Sequence, residues 1–116
     1  MLQSPGCFAL AAPGAFLIGR AVAGEAELLT LAVAPEARRR GIGRQLLRAF
    51  HARAEALGAG RAFLEVAAGN AAAQALYAAE GYGIAGRRRG YFGSGDTAPE
   101  DAPEDALVMR KTLGAA

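Results

Sequence analysis

The chain has 116 residues, 53% of them apolar and 21% charged, with a formal net charge of +2. This suits one small domain that buries roughly two-thirds of its unfolded surface, and it excludes a disordered or charge-driven chain. Such a charge gives no ground to expect direct nucleic-acid binding. Cys7, the single cysteine, can form no internal disulfide and fits a reducing compartment. The amino terminus lacks the basic and apolar regions of a signal peptide, and no run approaches the roughly 20 apolar residues of a membrane helix. A soluble, cytoplasmic chain is therefore expected. All but one of the 13 basic residues are arginine, which with the abundant alanine reads as the mark of a GC-rich genome.

Segments 7–12 (CFALAA) and 15–23 (AFLIGRAVA) flank Pro13-Gly14 and predict a hairpin. After the turn at Gly24-Glu25, 26–34 (AELLTLAVA) is apolar at alternate and intervening positions alike, as in a strand covered on both faces. Pro35 ends it. From Glu36 to Leu57 the period becomes helical. Ile42, Leu46, Phe50 and Leu57, with Leu47 and Ala54, share one face, while Arg44, Arg48, Arg53 and Glu55 point away. His51 is expected on the helix surface and Cys7 as a small strand hydrophobe. Gly58 and Gly60 stop the helix.

Segment 61–67 (RAFLEVA) predicts a strand, and Asn70 caps a helix over 71–80 that Gly81 terminates. Strands over 82–92 and 105–112 follow, joined by a loop with a repeated acidic APED. The order β-β-β-α-β-α-β-β gives an α/β fold of the α+β type. Its sheet is mixed and mostly antiparallel, with a right-handed crossover making strands three and four parallel.

The stretch Val33–Arg44 runs from a strand into a basic, glycine-bearing turn that opens a helix. Unpaired N–H groups and the helix dipole make such an end positive, and Gly41 and Gly43 let a ligand approach the backbone, as in a pyrophosphate cradle. A phosphate loop of the Gly-Lys-Ser/Thr kind is absent, and a dinucleotide fingerprint needs a small residue where Leu46 stands. The alternative is a solvated charge run beside a flexible turn. Glu65, the only charge within 62–67, reads either as a base whose apolar setting favours protonation or as a structural carboxylate paired with Arg61 or Arg20. Tyr77, taken alone, reads as a packing tyrosine.

Arg38-x-x-Gly41-x-Gly43 after a Val-x-Pro strand end resembles the acetyl-CoA signature of the GNAT superfamily of N-acetyltransferases. Further residues resemble the ribosomal-protein alanine N-acetyltransferases of RimI type. These are Leu64-Glu65-Val66, Asn70-Ala71-Ala72-Ala73, Ala75-Leu76-Tyr77, Glu80-Gly81-Tyr82, Arg88-Arg89-Gly90-Tyr91-Phe92, and Glu104-Asp105-Ala106 before Met109. The likeness spans nearly the whole chain from Ala26.

The resemblance implies an acetyl-CoA-dependent N-acetyltransferase acting on the α-amino group of a protein N-terminus, an alanine of a ribosomal protein. The alternatives are a small-molecule amine or lysine as acceptor, or a non-catalytic acetyl-CoA-binding module. It further implies that Leu31, Ala32 and Val33 offer backbone groups to the pantetheine, thioester and oxyanion, with strands three and four splayed. Arg38, Arg39, Arg40, Gly41, Ile42, Gly43 and Arg44 would hold the pyrophosphate, and Asn70 the pantetheine arm. Glu65 would be the general base and Tyr77 the general acid, with no metal required.

Members of the superfamily normally begin with a strand and two helices before the hairpin at 7–23. Residues 1–116 are thus expected to form a single GNAT domain truncated at its N-terminus. Its uncovered sheet predicts a homodimer or marginal solubility. Arg87-Arg88-Arg89 reads as a solvated strand end or as a patch for an acidic or nucleic-acid-associated partner, which a ribosomal substrate would fit.

Overall fold

The computed structural model describes residues 6–38, 40–92 and 104–114, with backbone alone at 90–92 and 104. The chain forms β1 (Cys7–Ala12), β2 (Ala15–Val22), β3 (Glu25–Val33), a 3-10 turn at Pro35–Ala37, α1 (Ile42–Ala56), β4 (Arg61–Ala67), α2 (Ala71–Ala79), β5 (Gly83–Phe92) and β6 (Glu104–Thr112). The strand order in the sheet is β1-β2-β3-β4-β6-β5. Pairs β1/β2, β2/β3 and β5/β6 are antiparallel, and β3 and β4, joined through α1, are the parallel pair. Two compact units divide the chain, one running up to Phe63 and resuming at Thr112, the other spanning Leu64–Lys111. Among the described residues no helix is long and apolar enough to cross a membrane.

In the first unit α1 packs over β1, β2 and β3. Leu46, Leu47, Phe50, His51 and Ala54 form its buried stripe, the spacing of one helical face. Phe50 is fully buried and stacks on Phe8 with ring centroids 6.0 Å apart. Its ring fits against Gly19, where an added Cβ would lie 2.7 Å from Phe50 Cε1 and 3.1 Å from Phe8 Cζ. The Arg53 guanidinium covers Phe8 from outside, 5.2 Å from the ring centroid. At the far end, Leu113 N–H donates to Gly60 O at 3.0 Å and Gly114 N–H to Glu55 Oε2 at 3.0 Å, closing the chain against α1.

Four expectations need correction here. The helix begins at Ile42 rather than Glu36, because Arg38 is extended (ψ 157) and Gly41 is left-handed (φ 76), so neither can continue a helix. His51 is buried beside Phe50 rather than on the surface. Leu57 is 54% exposed, because the helix ends at Ala56 and the C-cap turns it out of the stripe. Finally, β3 is not covered on both faces: Ala26 and Leu28 are buried, but 29–33 are half-buried. Ile18 pairs with Thr30 and Gly19 with Leu28, so Leu29 is an extra residue, and this bulge carries Leu28 and Leu31 to the same side.

In the second unit Leu64 and Val66 of β4 are buried, while Glu65 between them lies on the half-open face. Helix α2 is fastened at both ends by side chains. Asn70 Oδ1 accepts from Ala73 N–H at 3.1 Å, and Gln74 Nε2 donates to Ala67 O and Ala68 O at 3.1 and 2.9 Å. At the other end Lys111 Nζ donates to Glu80 O at 2.7 Å, on the carbonyl end of the helix dipole. Gly81, at φ 100, leaves room for that ammonium, because an added Cβ would lie 2.6 Å from Nζ.

Gly19→Ala tests the α1 contact. The new methyl meets a ring with no free space, so the variant should lose about 1–3 kcal/mol, seen as a lower urea midpoint with an unchanged slope.

Candidate functional site

Leu31, Ala32 and Val33 end β3, and the chain then turns through Pro35–Ala37 toward α1. Arg38 ties this turn to the strand, its Nε donating to Val33 O at 3.1 Å. One of the backbone acceptors expected to face a ligand is thereby engaged by the arginine. Arg39 lies outside the described residues. Arg40, Gly41 and Arg44 are exposed, and Ile42 and Gly43 are half-buried.

Helix α1 has no side-chain N-cap and no acidic residue in its first turn, and Arg44 sits there instead. The positive end of the helix dipole and a cation therefore coincide, an arrangement stabilised by an anion. A Cβ at Gly41 would meet nothing within 4 Å, so the left-handed φ, not crowding, selects glycine there. These residues fit a pyrophosphate.

Glu65, Asn70 and Tyr77 lie in the second unit, on β4, at the start of α2 and within α2. Glu65 is not the isolated carboxylate among apolar residues that its neighbours imply. Its side chain is 17% exposed, and Oε2 lies 2.8 Å from Arg88 Nε. The arginines expected as alternative partners are engaged elsewhere, Arg61 with Glu25 at 2.9 Å and Arg20 with Glu27 at 2.7 Å. Asn70 serves as the helix cap through Oδ1, so any hold on a cofactor falls to its Nδ2 amide. Tyr77 is buried and meets Tyr82 edge-on, with ring centroids 5.9 Å apart at 63°. Burial pushes the Tyr77 phenol above the ordinary tyrosine value of 10.0. Burial, and then the proximity of Tyr77, does the same to Tyr82. Both phenols thus stay protonated and able to donate through neutral pH.

Within the first unit the structure joins the end of β3 to the basic turn, and within the second it places the carboxylate and the phenol on consecutive elements. Sequence reasoning missed Arg88 as the partner of Glu65, Gln74 as the clamp between α2 and the end of β4, and Tyr82 as the ring beside Tyr77. The triplet 87–89 held a readable signal, since alternate strand residues face opposite ways. Arg87 accordingly takes Asp105 at 2.7 Å and Arg88 takes Glu65, so two of the three cations are neutralised within the chain. The side chains of Tyr91 and Phe92 lie outside the described residues.

A model of the acetyltransferase (GNAT) family matches residues 7–82. Over 95 residues the chain is 41% identical to the [ribosomal protein bS18]-alanine N-acetyltransferase of Escherichia coli K12, covering 82% of this chain and 61% of that protein. The chain thus spans about 61% of the length of the curated relatives it matches. The crystal structure of the ribosomal-protein-S18-alanine N-acetyltransferase from Escherichia coli superimposes with a TM-score of 0.83 at 36% identity, covering 98% of this chain and 74% of that one. Naa20 of Chaetomium thermophilum, solved with a bisubstrate analogue, gives 0.76 at 31% identity, covering 85% of this chain and 59% of that one. By the residues matched and the fold they adopt, the chain belongs to the acetyltransferase (GNAT) family.

Proposed function

We propose that the chain transfers acetyl from acetyl-CoA to the α-amino group of a protein N-terminus, an alanine of a ribosomal protein, in the cytoplasm. The observation that carries this is the 41% identity over 95 residues to an enzyme named for that reaction. The anion-fitting end of α1 and the buried, protonated Tyr77 support it.

In this reading Arg38–Arg44 hold the pyrophosphate, Leu31–Val33 offer backbone groups to the pantetheine and thioester, and Asn70 holds the pantetheine arm. Acetyl-CoA supplies the activated acyl carbonyl. Glu65 takes a proton from the acceptor ammonium, freeing the lone pair that forms the new C–N bond as the C–S bond breaks. Tyr77 gives its phenol proton to the departing thiolate. A phenol held above its ordinary value keeps that proton at any pH where an exposed tyrosine would.

The test is thiol release from acetyl-CoA with alanine-initial peptides. Glu65→Gln should lower kcat by about 10²–10⁴-fold without abolishing turnover, and absence of thiol release with any amine would sink the proposal. Tyr77→Phe should fall by a similar factor. The Tyr77 shift is upward, so the phenol keeps its proton to higher pH than an ordinary tyrosine and loses it only as pH rises through that raised value. Tyr77 should therefore contribute no fall in kcat through neutral and mildly alkaline pH, and a Tyr77-dependent fall in that range would contradict its role as acid.

A further inference from the structure

Glu65 and Arg88 are not on neighbouring strands. Strand β6 runs between β4 and β5, so two inter-strand steps, roughly 10 Å of sheet, separate their backbones. Yet Arg88 Nε lies 2.8 Å from Glu65 Oε2. The β5/β6 register shows how the gap is crossed. Arg88 stands directly opposite Ala106, and residues directly opposite share a face of the sheet. Ala106 offers only a methyl group there, so the arginine can pass over β6, where a longer side chain would block the path. Arginine is the one cation whose length and planar fork suit such a span. Glu65 is the inner member, 17% exposed, and Arg88 the outer, 58% exposed.

We propose that Arg88 is a positioning residue for acetyl transfer, reaching across Ala106 to hold Glu65 Oε2 so that Oε1 is presented to the acceptor ammonium. The role rests on Glu65 being the general base. A glutamate has several rotatable bonds, and a base that must find its geometry at each turnover forfeits part of the rate that orientation provides. The Arg88 contact removes that search. It also explains why a mostly exposed arginine, whose mate Arg87 already satisfies Asp105, is spent on a carboxylate two strands away.

The experiment is a kinetic double-mutant cycle with Arg88→Gln, Glu65→Gln and both together, and Arg88→Lys alongside. Arg88 is more than half exposed, so its variants should keep the wild-type melting midpoint to within the small range of surface substitutions. Arg88→Gln should lower kcat by about 10- to 100-fold and leave the KM for acetyl-CoA unchanged. Arg88→Lys should restore part of the loss. In the Glu65→Gln background, Arg88→Gln should cause no further loss. Wild-type kcat in Arg88→Gln, or an equal loss in both backgrounds, would overturn the positioning role while leaving Glu65 as base. Full activity in Glu65→Gln, or a wild-type chain inert toward every amine, would instead overturn the base assignment, and the positioning role with it.

Discussion

Phe50 seats its ring where Gly19 has no side chain, and the course of α1 follows from that contact. With the ring stacked on Phe8 and fully buried, the helix can neither rotate nor slide without opening a cavity. The N-terminus of α1 is thereby fixed just past the turn that leaves β3. An apolar contact thus determines where an uncapped, cationic helix end lies, the end proposed to hold the pyrophosphate.

The second unit solves a different problem. Helix α2 has nine residues, a length at which an isolated helix is marginal in water. Its hold on Tyr77 comes from side chains at its ends: Asn70 and Gln74 at the start, Lys111 at the finish. Each satisfies a helix-end or adjacent-strand group that would otherwise depend on solvent. The phenol therefore occupies a fixed, buried place on an element with little stability of its own.

Strand and helix boundaries were legible wherever composition changed sharply. CFALAA and RAFLEVA are bounded by glycine and proline, and Asn70 marks the start of α2 on sight. The expected first helix is too long at its start, because the composition of 36–40 suits a helix while the extended Arg38 and left-handed Gly41 interrupt it. His51 was misplaced because alanine-rich flanks blur which stripe is apolar. Partners across the sheet were out of reach for a physical reason. Arg20 meets Glu27 through the β2/β3 register, and Arg88 meets Glu65 across β6, which inserts between β4 and β5. Neither registration nor strand insertion leaves a local pattern in the chain. The residues implied for the site could thus be named from motifs, but the company that the carboxylate keeps could not.

The carbonyl contact of Lys111 bears on the protein's chemical durability. A guanidinium does not accept an acyl group from a thioester under ordinary conditions, whereas a lysine amine does. With every other basic side chain an arginine, Lys111 is the sole side-chain amine, and its nitrogen is occupied in holding the end of α2. Beyond Lys111, the readily acylated side chains reduce to the half-buried Cys7 thiol. A chain proposed to hold an acetyl thioester thus presents few side-chain nucleophiles to it, and its one lysine is already committed to a helix end.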